Sequence, residues 1–149
     1  MDSQIAKQVS KCLEEHKERD NRATNIIVYK AKEPEAGNTA EKKAKDLSKA
    51  EELFEVIGVT PTIVRPMRIG KTGQEEPRPW KIQFADTKAP IDILRNARKL
   101  KGHEEFGEWS LAPDYTIAQR EERRKLVTEL RERKAQGEED IGIRQNKIL

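Results

Sequence analysis

Gly70-Lys71-Thr72 is the one stretch whose residue types and order echo a nucleotide-phosphate loop, in which a glycine, a lysine and a hydroxyl close the cradle. That loop needs a further glycine where Arg65 stands, and a helix after it where Gly73 and Pro77 follow, so the P-loop reading is set aside. His103 beside Glu104 and Glu105 offers an acid/base group, but no nucleophile and no second histidine stand with it; it is read as a loop histidine. Glu138, Glu139 and Asp140 lack the glycine and the alternating ligands of a calcium loop and are read as a solvated acidic turn. Cys12 is the only cysteine, which rules out an internal disulfide or a cysteine-based zinc cage, and it is expected to be an ordinary buried thiol. With no clustered carboxylate or histidine site, the chain is expected to be no enzyme, with no metal and no cofactor.

What does stand out is positive charge. From Thr60 to Lys101 there are ten basic residues against four acidic, a local +6, while both flanks are slightly acidic and the whole chain carries +3. A segregated basic surface is what a protein holding a phosphate backbone needs. The candidate phosphate contacts are Arg65, Arg68 and Lys71, then Arg78 and Lys81, then Arg95, Arg98, Lys99 and Lys101. The bland alternative is a solvated face of lysines and arginines.

The 149 residues hold one compact domain of about 100 residues with appendages. With 34% apolar and 38% charged residues, a small core and long solvated helices are expected rather than an enclosed pocket. No apolar run suits a membrane span and the first residues have no signal-peptide centre, so a cytosolic or nuclear protein is expected.

The elements that must position the basic residues follow from spacing. Residues 3 to 20 lack glycine and proline and set Ile5, Val9, Cys12 and His16 on one helical seam; this helix either lies on its own domain or is the end of a coiled coil. Thr24 to Lys30 is a β-branched and aromatic strand of the buried kind. Asn38 caps a helix with Ala40, Ala44, Leu47, Phe54 and Ile57 on its apolar side, and Gly58 ends it. Thr60 to Ile69 is a second strand whose prolines suit a sheet edge, Gly70 to Pro77 a polar loop, and Trp80, Ile82 and Phe84 alternate as a half-buried third strand. Asp86 or Thr87 caps the next helix, with Ile91, Leu94 and Ala97 facing inward, and Trp109 to Leu111 is a fourth strand. The order β-α-β-β-α-β is the split βαβ arrangement of a ferredoxin-like α+β fold. Thr116 and Gln119 form a capping box for a charged helix to about Lys134, before a small hairpin with Ile141, Ile143 and Ile148 around Gln145-Asn146.

The stretches RATNIIVY (22–29), RPWKIQF (78–84), ILRNARKL (93–100) and LAPDYTIAQREERRKL (111–126), in this order, resemble the first open reading frame protein of LINE-type (non-LTR) retrotransposons. The resemblance implies an N-terminal helix at 1–21 as the end of a coiled coil, an RRM-like domain at 22–112, and a C-terminal helix and hairpin at 113–149. It implies binding of single-stranded RNA or DNA with little sequence preference, a nucleic-acid chaperone role, and self-association through the N-terminal helix. It adds Asn25, Arg123 and Arg124 as contacting positions. Against that family the chain is short, with only the last turns of a coiled coil before Arg22 and an end at Leu149, as in a fragment, a truncated copy or a host-retained descendant.

In an RRM, aromatics on the two central strands stack on bases. Here Trp80 and Ile82 fall on the core side and Pro79, Lys81 and Gln83 on the open face, so Tyr29 is the one aromatic left for stacking and phosphate contacts must dominate. The alternative class is a protein-interaction adaptor on a degenerate RRM-like fold.

Overall fold

The structure, a computed structural model, describes residues 3–73, 75–144 and 147–148. Its elements run α1 (Ser3–Arg22), β1 (Asn25–Tyr29), α2 (Thr39–Ile57), β2 (Ile63–Arg68), β3 (Trp80–Phe84), α3 (Lys88–Asn96) with a 3-10 turn at Ala97–Leu100, β4 (Ser110–Pro113), α4 (Ile117–Ala135), β5 (Ile143–Arg144) and β6 (Lys147–Ile148). The chain divides into two compact units, residues Asp20–Asp114 and the pair of segments Met1–Arg19 and Tyr115–Leu149.

The 20–114 unit is α+β, built on a four-stranded antiparallel sheet in the order β2-β3-β1-β4. Alternation decides which face of the sheet is covered. Trp80, Ile82 and Phe84 of β3 face the core with Ile26 and Val28 of β1, and α2 and α3 close that face with Ala50, Leu53, Phe54, Ile57 and Ile93. Phe54 meets Phe84 edge to face at 5.5 Å, an arrangement that adds about 1 kcal/mol to area burial. β2 lies at the sheet edge, where Pro66 costs no ladder bond to a further strand, and its register slips between Ile63 and Arg65.

The caps of α2 form as the sequence implies. The Asn38 side chain accepts from Glu41 N at 2.9 Å, and Gly58, at φ 88°, bonds back to Phe54 O and Glu55 O. Its buried face differs in part from the expected one. Phe54 and Ile57 are buried as expected, with Asp46, Ala50 and Leu53, while Ala40, Ala44 and Leu47 are exposed. α3 likewise differs in part. Pro90 and Ile93 are buried and Ile91 is exposed, while Leu94 packs half-buried against the core as expected, with Ala89 beside it. Asp86 rather than Thr87 supplies the capping acceptor, taking Ala89 N at 3.0 Å. β4 begins just after Trp109, which packs half-buried against Phe106.

In the second unit α4 carries the full capping box of Thr116 and Gln119, and Arg19 on α1 donates to Glu15 and to Glu122 at 2.8 and 2.9 Å. No residue of α1 is buried, so Cys12 is exposed, against the sequence expectation: a helix this polar has no core to bury a thiol in. β5 and β6 pair antiparallel with Ile143 opposite Ile148, while the turn read at Gln145-Asn146 lies outside the described residues. No described helix is long and apolar enough to cross a membrane.

Candidate nucleic-acid interface

The sheet face away from the helices carries Asn25, Ile27 and Tyr29 of β1, Lys81 and Gln83 of β3, and Arg65 and Met67 of β2, as the cross-strand pairs Asn25–Gln83, Ile27–Lys81, Arg65–Gln83 and Met67–Lys81 require. Trp80 and Phe84 point the other way into the core, so among the described strand residues Tyr29, 38% exposed, is the sole aromatic of this face. Base stacking has one platform here and no second beside it.

The face is also less cationic than its sequence implies. Asp114, just beyond β4 and buried, accepts from Asn25 Nδ2 at 2.9 Å and from Arg22 Nη1 at 3.4 Å, with Lys81 Nζ at 3.6 Å. The Asn25 amide is buried and donates to this carboxylate, so in this fold it positions Asp114. Lys81 keeps an exposed side but is tethered. Asp114 has no motif of its own. Its role emerges only once β4 is registered on β1, with Pro113 opposite Ile26, which brings it beside Asn25.

Arg68 is engaged within the protein, with its side chain 7% exposed. Its guanidinium lies 5.0 Å over Trp80, and its N–H groups are taken by Asp46 (Nε to Oδ2 at 3.0 Å, Nη2 to Oδ1 at 2.9 Å) and by the carbonyls of Ala31, Arg78 and Lys32 at 2.7, 3.0 and 3.4 Å. A guanidinium has five N–H donors, and here all five have protein acceptors. In this arrangement Arg68, expected from the sequence as a phosphate contact, ties the exit of β1, α2 and the start of β3 together.

Arg78 is engaged at the rim. Its Nε donates to Glu33 Oε1 at 2.8 Å, its Nη2 lies 2.6 Å from the same oxygen, its main-chain N–H donates to Glu33 Oε2 at 3.2 Å, and Nη1 donates to Gly70 O at 3.3 Å. Burial pushes the Glu33 carboxyl up, but the hydrogen bonds from Arg78 and the charges of Arg78 and Arg68 outweigh it and hold Glu33 below the usual carboxylate range. A depressed folded-state value means the pair's stabilisation is present above the unfolded carboxylate's value of about 4.3 and is lost as pH falls through the folded one. Between about pH 5 and pH 3, wild type should thus lose more stability than Glu33→Gln, as read by urea denaturation at each pH. Equal losses would show that the pair does not couple to folding.

On the helical side, Lys99 Nζ donates to Ile57 O at 3.3 Å and so caps the end of α2, where a cation meets the unsatisfied carbonyls. Arg95, Arg98 and Lys101 stand exposed along the end of α3 and its 3-10 turn, and Arg65 on β2 and Lys71 in the β2–β3 loop are exposed as well. Among the described residues these five form no ion pair. In the second unit, Arg123 and Arg124 lie on the exposed side of α4, and Arg124 pairs with Glu121 at 2.7 Å.

His103 is a loop residue whose Nδ1 accepts from the main-chain N–H groups of Glu105 and Phe106, both at 3.1 Å, while its ring stacks on Phe106. Among the described residues, no group of three or more His, Cys, Asp or Glu side chains is arranged to hold a metal ion. An open groove of about 820 Å³ lies between residues 32–36 and the α2 residues 44–49, with Trp109 at its wall. No protein-family model and no curated protein matches the chain.

Proposed function

We propose that this chain is a non-enzymatic, single-stranded nucleic-acid-binding protein with an RRM-like domain, related to the first open reading frame proteins of LINE-type retrotransposons and acting as a nucleic-acid chaperone. The observation that carries the reading is the survival of the central charge excess through folding. Within that central stretch Arg68, Arg78 and Lys81 are paired with acids, while Arg65, Lys71, Arg95, Arg98 and Lys101 face solvent with no ion pair among the described residues. Uncompensated cations attract phosphates, and counterion release then supplies affinity without reading sequence. The strand order β2-β3-β1-β4 with both helices on one face supports the RRM-like assignment. Tyr29 adds at most one stacked base, worth about 1–3 kcal/mol.

The direct test is anisotropy of a fluorescein-labelled, mixed-sequence single-stranded RNA, and of the matching DNA, titrated with the purified chain at low salt. Saturable binding is expected. Failure to bind either strand would remove the reading. The adaptor reading draws on the groove beside Trp109, and Arg95→Glu with Arg98→Glu, neither of which lines that groove, separates the two: strand binding falls if phosphates are the ligand, while capture of a protein partner persists if the groove is the site.

Self-association belongs to the same proposal. Ile5, Val9 and Leu13 on α1 are 49%, 52% and 65% exposed, at spacings of four, a stripe suited to pairing with copies of itself. Sedimentation equilibrium should give a mass above the monomer that Ile5→Asp with Val9→Asp reduces to the monomer. A monomeric wild type would count against it.

A further inference from the structure

Glu33 occupies a site suited to any compact oxyanion. Arg78 Nε donates to Glu33 Oε1 at 2.8 Å with Nη2 2.6 Å from the same oxygen, and the main-chain N–H of Arg78 donates to Oε2 at 3.2 Å. Guanidinium groups bind phosphate oxygens through the same charge-assisted N–H donors. The two side chains are 27% and 23% exposed, so an incoming polyanion reaches the pair. Arg68, in the same network, is the contrast: its side chain is 7% exposed, and three of its acceptors are main-chain carbonyls that no ligand displaces cheaply.

The segment that carries Glu33 has somewhere to go. Residues 31–35 form no regular structure, and they are bracketed by Lys30, a non-glycine residue at φ 65°, and by Gly37 at φ 111°. Behind them lies the groove of about 820 Å³ against α2, crossed by the hydrogen bond from Lys45 Nζ to Ala36 O at 3.1 Å. Pro34 and Ala36 line the side of this groove formed by the segment, and Ala44 and Trp109 contribute apolar surface to its other walls.

Resting on the nucleic-acid reading above, the geometry points to Glu33 as a built-in competitor of the ligand: it occupies the Arg78 guanidinium in the free protein, and a backbone phosphate of a bound single strand takes its place while residues 31–37 move toward the groove. Arg78 is then a contact held in reserve, pre-shaped by its hydrogen bond to Gly70 O and masked until a phosphate arrives. A masked cation lowers affinity for stray anions and makes binding reversible. Inorganic phosphate offers the same chemistry as a nucleic-acid backbone, and the experiment must tell them apart.

The test compares wild type, Glu33→Gln, Glu35→Gln, Arg78→Gln and Glu33→Gln/Arg78→Gln as full chains, by single-stranded RNA anisotropy at one fixed low salt. Glu33→Gln should bind about three- to fivefold tighter, the range in which an exposed ion pair acts. Glu35→Gln makes the same change of charge on the same segment, where Glu35 lies 3.6 Å from Lys32 Nζ, and should gain less. Arg78→Gln should bind more weakly than wild type, and adding Glu33→Gln to it should restore nothing, because the competition then has no object. Equal gains from Glu33→Gln and Glu35→Gln, or a gain that persists without Arg78, would overturn the competitor role while leaving strand binding intact. If no variant binds the strand, the nucleic-acid reading itself falls and this inference with it. Amide hydrogen exchange across residues 31–37 gives an independent readout and should speed up when RNA is added to wild type. Unchanged exchange, or the same acceleration from inorganic phosphate at equal phosphate concentration, would overturn displacement by the strand.

Discussion

Arg68→Ala is expected to lower the unfolding free energy of the 20–114 unit by about 3–5 kcal/mol, the cost of removing one member of a buried charged pair. The loss has identifiable parts. Asp46 would stay buried with no cation, the carbonyls of Ala31 and Arg78 would lose their donor, and the Trp80 ring would lose the guanidinium packed over it. Arg68→Lys should recover only a fraction, because an ammonium donates from a single point and cannot span Asp46 and three separate carbonyls. Urea denaturation followed by tryptophan fluorescence reads both variants. A loss under about 1 kcal/mol, accompanied by weakened RNA binding, would return Arg68 to the list of surface contacts.

The triple reversal Arg95→Glu, Arg98→Glu, Lys101→Glu should leave stability within about 0.5 kcal/mol per site, since all three are exposed and none is in an ion pair among the described residues. It should nevertheless weaken single-stranded RNA binding by about 100-fold or more at low salt, and reduce the dependence of log affinity on log salt by about 2, as expected for three lost phosphate contacts. The same reversal at Arg123 and Arg124 should do less, because Glu121 already offsets Arg124. If the triple reversal unfolds nothing and weakens nothing, the strand does not run along the end of α3, and Arg65, Lys71 and Lys81 become the next surface to change.

Local chemistry was legible in the sequence. The alternation of Trp80, Ile82 and Phe84, the caps at Asn38 and Gly58, the Thr116–Gln119 box and the proline-marked edge strand each depend on residues within a few positions of one another. The pairings that decide which cations are free depend on contacts that only the folded chain makes. Arg68 meets Asp46 across 22 positions, Arg78 meets Glu33 across 45, Lys99 meets Ile57 O across 42 and Asn25 meets Asp114 across 89. Counting charge by segment therefore located the basic stretch and could not show that Arg68, Arg78 and Lys81 are paired with acids from other segments. Helix phase at Ile91 failed for a related reason. Ile91 and Ile93 both fit a short amphipathic pattern, and only the position of the sheet chooses Ile93.

The most direct check of phosphate-dominated binding is the affinity of the wild-type chain for a mixed-sequence single-stranded RNA across a series of salt concentrations. The uncompensated cations Arg65, Lys71, Arg95, Arg98 and Lys101 predict a straight log–log plot with a slope of about −3 to −4, at roughly 0.7 per phosphate engaged, and little change between sequences. A slope near zero, or no binding at the lowest salt, would contradict it.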